Sequence, residues 1–407
     1  MRQVILIALL ATLSGCTGGD GGVVTVTLWH QKTGAERDFL DRVVDEYNAG
    51  HDDHRLVTLY RETEELRNLF VIASAGGKGP DLVFGPSDNV SILAITGTVQ
   101  PVTAVLGDAY LSDFSEEGIV RWEGEPYMIA DQVGNHLTFV YNRDLMPEPP
   151  QTIEEMVASL ESATRDLDGD GRIDQYGLTW NYTEPFFFAP FLACFGGEMM
   201  DDEGTPTLDT DATVRAVQFI LDLRDRYKVI PASTDYETAE MMFKDGTAAA
   251  IINGPWAWAG YGEAGINYGL TRIPYMTETG NWCSPLVSAK GYSVNTNLAP
   301  ERVQYVRQVL EYLTDASIQT RMAEELATIP VIASVRESPE FKNNDFLQAS
   351  LRQLEVGKAM PMAPQLRQVW DGMRGPYQLV MNGAVTAEEG ARLMQAEVEK
   401  RIADAFL

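Results

Sequence analysis

Val24-Thr-Val-Thr-Leu-Trp29 is the first of three strand-like stretches that decide the fold, and Leu56-Val-Thr-Leu-Tyr60 and Asp81-Leu-Val-Phe84 follow it. Each is rich in β-branched residues and partly alternates apolar with polar side chains, as strands do. Between them, residues 35–49 and 64–75 place their apolar side chains on one helical face. The order strand, helix, strand, helix, strand predicts an α/β layer with a mostly parallel sheet. Ligands of such sheets bind beyond the carboxyl ends of the strands, so we expect a site at the loops after these three strands.

The same periodicity predicts further elements along the chain. Helices are expected at Ile153–Leu167, at 212–227 behind a cap at Thr210 or Asp211, at 300–314 and at 387–405. A further strand, Ala248–Ile252, runs into the turn signal Asn253-Gly-Pro-Trp256.

The composition excludes some classes of partner. The 407 residues hold 59 Asp and Glu against 31 Lys and Arg, a formal net charge of −28. Nucleic acid binding needs a basic surface that this balance does not supply. An apolar fraction of 45% is ordinary for a chain that buries a large core. The length predicts two or three domains at roughly 100–200 residues each.

The N-terminus carries a targeting signal. Arg2 and the apolar run Val4–Leu13 precede Leu13-Ser-Gly-Cys16, and this arrangement resembles a bacterial lipoprotein signal. The resemblance implies cleavage after residue 15 and lipidation of Cys16, with residues 16–22 as a flexible tether. The alternative is an ordinary secretory signal beside a chance cysteine. Either way, Val4–Leu13 is too short to span a bilayer.

The remaining chemistry-bearing residues give little sign of catalysis. Cys194 and Cys283 could form a disulfide or remain two buried thiols. No CxxC or HExxH motif exists, and no Gly-x-Ser-x-Gly or Walker motif is present. Carboxylates are numerous enough that a glycosidase pair is not excluded by counting alone.

A possible metal site lies in the stretch from Asp166 to Asp174. The carboxylates Asp166, Asp168, Asp170 and Asp174 match the first nine positions of an EF-hand calcium loop. Gly177 stands at position twelve, where that loop has a bidentate Glu. The alternative is an acidic turn that ends the preceding helix. No other cofactor is expected.

Aromatic side chains close to turns are typical of carbohydrate sites, because ring faces contact the apolar C–H surfaces of sugars. Trp256, Trp258, Trp370 and the stretch Glu184-Pro-Phe-Phe-Phe188 are such candidates. Taken singly, a Trp is more often a core residue than a binding platform, and it is the association with turn signals that favours a site here.

Several segments together resemble the solute-binding proteins of sugar ABC importers, and most closely the maltose/maltodextrin-binding proteins. They lie in the same order over essentially the whole mature chain, and the most specific of them is Ile252-Asn-Gly-Pro-Trp-Ala-Trp258. The others are Gly79–Phe84, Phe139–Leu145 with Pro149–Thr152, Glu184-Pro185, Gly196-Gly197, Asp235-Tyr236 and the segment from Met360 to Trp370.

The resemblance implies a two-lobed α/β fold of the periplasmic binding protein type, type II-like, with a ligand between the lobes. The first lobe would comprise residues 23–133 and 288–337, and the second lobe residues 138–282 and 342–407. Hinge crossings would lie at 134–137, 283–287 and 338–341. Closure would follow from ligand contacts that both lobes make only when they meet.

The resemblance also implies binding residues. Trp256, Trp370 and Phe186 match aromatic positions, Phe186 standing where maltose binders carry Tyr. Polar positions match at Glu184, Asp88 and Arg374, while Asn135 stands where an acidic residue is expected. Further departures are Gly85 in place of an aromatic lid residue, Asn89 in place of a basic residue, and Gln31, Lys32 and Thr33 near the first strand. These changes favour another glucoside, or another chain length, over maltose itself.

The expected function is that of a monomeric, lipid-anchored receptor without enzyme activity. It would bind an oligosaccharide, with maltose/maltodextrin or a related α-glucoside as the expected ligand, and deliver it to ABC permease subunits. It would reside in the periplasm or on the outer face of the membrane. The alternatives are a receptor for another sugar or a non-sugar ligand, coupled to sensing, and a surface glycoside hydrolase.

Overall fold

The computed structural model describes residues 23–201 and 203–406. The signal segment, Cys16 and the tether therefore lie outside the described residues. The structure has two main β-sheets. We call each of these sheets, together with the helices packed on it, a lobe, and we number the first and second lobes in chain order. Within the described residues, no helix is both long and apolar enough to span a membrane.

The strands occur along the chain in the following order. They are β1 Val24–His30, β2 His54–Tyr60, β3 Leu82–Pro86, β4 Val99–Gln100, β5 Ile119–Trp122, β6 Glu125–Val133, β7 Thr138–Asn142, β8 Tyr176–Thr179, β9 Ala248–Asn253, β10 Tyr268–Thr271, β11 Tyr275–Met276, β12 Asn281–Trp282, β13 Leu286–Val287, β14 Ala289–Asn295 and β15 Lys358–Ala359.

Helices connect and cover these strands, with short 3₁₀ turns at Ser87–Asn89, Glu116–Gly118 and Pro300–Arg302. They are α1 Gly34–Ala49, α2 Thr63–Ala75, α3 Val90–Ile95, α4 Thr103–Leu106, α5 Asp108–Leu111, α6 Ile153–Ala163, α7 Pro185–Cys194, α8 Asp211–Asp225, α9 Tyr236–Lys244, α10 Pro255–Glu263, α11 Val303–Leu313, α12 Ala316–Leu326, α13 Ala333–Arg336, α14 Pro339–Lys342, α15 Asp345–Leu354, α16 Leu366–Met381 and α17 Ala387–Phe406.

The first lobe is built on a seven-stranded sheet in the order β2-β1-β3-β14-β6-β5, with β4 also paired to β14. The predicted βαβαβ unit is confirmed, since β1 pairs in parallel with both β2 and β3. The prediction of mostly parallel pairing is wrong for the rest of the sheet, because β14 inserts between β3 and β6 and runs antiparallel to both. This strand returns from the second lobe and therefore enters the sheet from the opposite end.

The second lobe is built on a four-stranded sheet in the order β10-β7-β9-β8. Only β8 and β9 pair in parallel, while β7 runs antiparallel to both of its neighbours. The helix α7 is buried on nearly all sides, and α16 packs against both α7 and the last helix α17. The mixed α/β class predicted from the sequence is confirmed.

Two separate hydrophobic cores support the two sheets. The core of the first lobe draws on residues between Val26 and Ala130 and between Ala289 and Val335. The main core of the second lobe draws on residues between Leu137 and Leu286 and between Met360 and Val398. The chain therefore passes between the lobes more than once. That the lobes rotate about the segments 134–137, 283–287 and 338–341 stays a prediction.

Two predicted helix boundaries require correction. The helix α6 ends at Ala163 rather than Leu167, because Thr164 turns into an extended conformation and Arg165 forms a β-bridge with Gln175. The helix predicted at 300–314 begins with a 3₁₀ turn and becomes α-helical only at Val303. The alternative left open for the cap of α8 is resolved as Thr210, whose side chain accepts the N–H of Thr213.

A disulfide joins Cys194 to Cys283, and both residues are fully buried. It ties the C-terminal end of α7 to the segment that precedes β13 and the return to the first lobe. The sequence alone left a disulfide and two free thiols as equal alternatives.

Candidate ligand-binding cleft

A cavity of about 550 Å³ lies between the lobes, which is within the range of small-molecule sites. Its wall on the first lobe comes from the carboxyl ends of β1, β2 and β3 and the loops after them, as the strand order predicts. Its wall on the second lobe comes from α7, α9, α10 and α16. All seven residues predicted to contact a ligand line this cavity: Asp88, Asn135, Glu184, Phe186, Trp256, Trp370 and Arg374.

Three half-buried rings form an aromatic wall on the second lobe. The ring of Phe186 lies 6.4 Å from that of Trp256 and 6.3 Å from that of Trp370, at interplanar angles of 47° and 66°. The indole N–H of Trp256 donates to the hydroxyl of Tyr236 at 2.9 Å, which fixes the orientation of that ring. Rings held in different planes offer several apolar faces to one ligand.

Gly254 allows Trp256 to lie against the backbone. A Cβ atom at Gly254 would stand 2.1 Å from the Trp256 ring, closer than any carbon contact permits. Pro255 then begins α10, a position that proline fits well because the first helical N–H has no partner within the helix. The Asn-Gly-Pro-Trp motif therefore positions the indole of Trp256 at the edge of the cavity.

An ion pair borders the aromatic wall. The guanidinium Nε of Arg374 donates to both carboxylate oxygens of Glu184, at 3.0 and 3.2 Å. Arg374 also lies 3.5 Å from the carboxylate of Asp371. Glu184 and Arg374 are each about one third exposed, so both can still reach hydroxyl groups of a ligand. The sequence predicted the two residues for the site but not their pairing across 190 positions.

The wall on the first lobe is mostly polar. Asp88 and Asn89 lie in the turn that follows β3, and Gln31 and Thr33 follow β1. Asn135 lies in the crossing from β6 to β7, where its backbone N–H donates to the carbonyl of Ser288 at 2.9 Å. Amide, hydroxyl and carboxylate groups on this wall therefore face the rings on the other.

A buried ion pair that the sequence analysis missed lies in this polar wall. The ammonium of Lys290 is 3.0 Å from both carboxylate oxygens of Glu36, and Gln132 donates to Glu36 at 3.3 Å. Burial acts to raise the pKa of Glu36, but the charges of Lys290 and Lys32 outweigh it and hold that pKa below its usual range. The carboxylate is thus a fixed acceptor beside the cavity.

A second buried ion pair, between Lys32 and Asp131, accompanies the Glu36–Lys290 pair. Lys32 lies 3.3 Å from Asp131 and 3.8 Å from the centre of the Phe84 ring, and the hydroxyl of Tyr292 donates to Asp131 at 3.0 Å. Burial raises the pKa of Asp131, with Lys32 acting against it. These groups do not line the cavity themselves. They stabilise the strands and the helix whose residues line it.

Other residues that line the cavity were also missed, and some had a signal in the sequence. Glu36 stands on the apolar face of α1, in register with Phe39, Leu40 and Val43, where a charge is out of pattern. Lys290 had no comparable signal. Further cavity residues that the prediction omitted are Tyr60, Asn181, Tyr236, Met360 and Arg367.

The Asp-rich loop does not contribute to the lining of the cavity. Carboxylate oxygens of Asp166, Asp168 and Asp174 lie within 4.8 Å of one another, whereas Asp170 does not belong to this group. The carboxylate of Asp166 accepts the N–H groups of Gly169 and Gly171, at 2.7 and 2.9 Å. Calcium binding here stays a prediction, with the acidic turn as its alternative.

The chain has two lobes around a cavity, and one wall of this cavity is aromatic while the other is polar. This arrangement is that of a solute-binding protein that binds its ligand between its lobes. The chain belongs to the bacterial extracellular solute-binding protein family, whose model matches residues 42–349. The family consists of binding proteins rather than enzymes, and its description indicates a location outside the cytoplasm.

Individual relatives agree with this assignment. The maltose/maltodextrin-binding domain of Bdellovibrio bacteriovorus, solved with maltotriose, is 42% identical, with a TM-score of 0.89 over 94% of this chain and all of that one. The maltotriose-binding protein of Pyrococcus abyssi is 24% identical over 94% of this chain and 82% of its own length. A maltooligosaccharide ABC transporter solute-binding lipoprotein of Streptococcus pneumoniae is 23% identical over 78% of this chain and 74% of its own. The resemblance predicted from the sequence is confirmed.

Proposed function

We propose that this protein binds a maltodextrin-type oligosaccharide in the cleft and delivers it to the membrane subunits of an ABC importer. The observation that carries the proposal is the aromatic wall of Phe186, Trp256 and Trp370 beside the Glu184–Arg374 ion pair. The flat apolar faces of a glucosyl chain match such rings, and its hydroxyl groups match carboxylate and guanidinium partners. The names of the relatives support the same class of ligand.

Selectivity would come from the polar wall rather than from the rings. A stacked ring tolerates many sugars, whereas a buried donor or acceptor that a wrong ligand leaves unpaired costs about 1–3 kcal/mol. Glu36, Lys290, Asp88 and Asn135 are the groups on the first lobe that would impose this choice.

We further propose that Cys16 is lipidated and that the protein acts as a monomer on the outer face of a membrane or in the periplasm. The small residues before Cys16 support this proposal, as does the lipoprotein named among the relatives. Globomycin, which inhibits lipoprotein signal peptidase, should leave the precursor uncleaved. Cys16→Ser should abolish the incorporation of labelled fatty acid into the protein. Incorporation that persists in Cys16→Ser would contradict lipidation of this residue.

Calorimetry with maltose, maltotriose and maltotetraose tests the proposed ligand directly. We expect saturable binding, with the affinity lowered at least tenfold in Trp256→Ala and in Trp370→Ala, since truncation of an aromatic anchor in a binding site commonly costs about 2 kcal/mol or more. Trp282→Ala is the matched control, because Trp282 is also half-buried but packs edge-on against Tyr275 outside the cavity. Binding that is lost equally in all three variants would point to instability instead of a role in the site.

A further inference from the structure

We infer that Tyr60 is the aromatic contact of the first lobe and forms an outer subsite that recognises the length of the bound oligosaccharide. This inference rests on the proposed function and deepens it. Tyr60 ends β2 and lines the cavity, and it was not among the residues predicted from the sequence.

The first argument is the distribution of rings around the cavity. Every other aromatic residue that lines it belongs to the second lobe: Phe186, Phe187, Tyr236, Trp256 and Trp370. At the position where a lid ring was expected, Gly85 has no side chain, and Asn89 and Gln31 approach the space where a Cβ would lie. Tyr60 is thus the one ring that the described part of the first lobe offers to a ligand held between the lobes.

The second argument is that the ring of Tyr60 is already held in place. The guanidinium of Arg37 lies 5.3 Å from the ring centre, within the range of a cation–π contact. The ring of His30 packs against it in an edge arrangement at 6.1 Å. Within the described residues, no hydrogen bond is formed to the Tyr60 hydroxyl, so both the hydroxyl and the remaining ring surface are available to a ligand. A ring oriented beforehand loses little side-chain freedom when it binds.

The third argument is the place of β2 in the sheet. β2 is the edge strand, and three strand spacings separate it from β14, the strand that returns from the second lobe. At about 4.8 Å per spacing, Tyr60 lies on the order of 14 Å from the side of the sheet where Lys290 and Asn135 line the cavity. Only an extended ligand can contact those residues and Tyr60 together, so the contribution of Tyr60 grows with chain length.

The test compares how much affinity the protein gains from maltose to maltotetraose. We expect Tyr60→Ala to reduce this gain about tenfold, equivalent to about 1.4 kcal/mol, as measured by calorimetry on the whole protein. Tyr60→Phe should retain most of the gain because it retains the ring. Tyr227→Ala is the matched control, since Tyr227 is also half-buried under an arginine, Arg226, but lies outside the cavity.

The outcomes separate the two proposals. If the wild-type protein binds these sugars but Tyr60→Ala keeps the gain, or lowers the affinity for every length equally, the outer subsite is wrong and the proposed function stands. If the wild-type protein binds none of them, the proposed ligand is wrong and the subsite with it. Melting temperatures of all variants, measured without sugar, identify any loss of affinity that comes from misfolding.

Discussion

At the scale of single residues, Gly254 has a disproportionate influence on the aromatic wall. Its missing side chain is what lets Trp256 lie across the backbone at the start of α10. We expect Gly254→Ala to displace the indole and to lower ligand affinity at least tenfold, for the same reason as removal of the ring itself. Calorimetry with maltotriose would measure the loss.

Gly260, six positions further along the chain, provides the control for this prediction. It lies in the same helix α10, but a Cβ there would meet only the flexible end of Lys244. Gly260→Ala should keep the affinity, and it should slightly stabilise the helix. Equal affinities in Gly254→Ala and Gly260→Ala would show that the close approach of Trp256 has no role in binding.

His136 makes the free energy of unfolding depend on pH. It is fully buried in the crossing between β6 and β7, where it donates from Nδ1 to the carbonyl of Gly134 and packs against Trp258. Burial lowers its pKa from the ordinary 6.5 to about 4. As the pH falls, the unfolded chain takes up this proton first, so stability falls between about pH 6.5 and pH 4, by on the order of 3 kcal/mol for this group.

Melting temperatures between about pH 7 and pH 4.5 would check this prediction. The decrease toward acid should be smaller in His136→Gln than in the wild type, because the variant lacks the group that must be protonated. It should not vanish, since burial, Lys32 and Arg37 also lower the pKa of His30 to about 4. Parallel curves for the wild type and His136→Gln would contradict the assignment.

Residues carried by a local motif or by the family resemblance were predicted, and those placed only by tertiary contacts were not. Trp256 stands in a turn motif, whereas Glu184 was predicted because it matches a binding position of the family. Lys290 becomes a cavity residue only because β14 lies beside β6 and brings it to Glu36, 254 positions away. No local pattern carries that information.

At the scale of elements, the Asp-rich loop shows why α6 was predicted too long. The helical pattern continues to Leu167, but Thr164 donates its hydroxyl to the carbonyl of Leu160, and its extended backbone starts the loop. The N–H groups that follow are taken up by the carboxylates of Asp166 and Asp168. Side chains that satisfy backbone groups compete with helix continuation, and here they win.

Asp166→Ala tests what holds this loop together. The loss of two charge-assisted hydrogen bonds should destabilise the protein by about 1–3 kcal/mol, measured by thermal or urea unfolding. Adding Ca²⁺ distinguishes a calcium site from an acidic turn. If calcium binds, it raises the melting temperature of the wild type and not of Asp166→Ala; if the loop is an acidic turn, neither responds. Asp45→Ala is the control, because Asp45 is exposed on α1 and belongs neither to this loop nor to the predicted metal site.

The full order of strands in the first sheet could not be predicted from local sequence patterns. The first three strands and the two helices between them were recognisable because the periodicity of their apolar residues is a local pattern. The position of β14 between β3 and β6 depends on a strand that comes after the whole central part of the second lobe. Only the family resemblance, and no periodicity, indicated that the chain returns.

At the scale of the whole molecule, the two walls of the cleft imply closure upon binding. A ligand seated on the rings of the second lobe gains its contacts with Glu36, Lys290 and Tyr60 only when the lobes approach, so binding favours the closed form. We expect maltotriose to reduce the radius of gyration measured by small-angle X-ray scattering. Trp370→Ala at the same sugar concentration should show a smaller change, and an unchanged radius at saturation would contradict closure.

The net charge of −28 should have little influence on the capture of a neutral ligand. Charges steer charged molecules, and salt screens that steering within about 10 Å at 0.1 M. We therefore expect the affinity for maltotriose to change less than about twofold between about 20 and 500 mM sodium chloride. A steep dependence on salt would contradict the view that the charge of the protein has little influence on capture of this sugar.

The late position of α16 has a consequence for synthesis. Trp370 and Arg374 stand close to the end of the chain, while their partners Phe186 and Glu184 come far earlier. A ribosome that has translated the first lobe and most of the second has therefore made only part of the surface that faces the ligand. Chains released before Leu366 lack two of its main groups, so they should bind the ligand weakly. Ligand capture therefore requires that translation has passed α16.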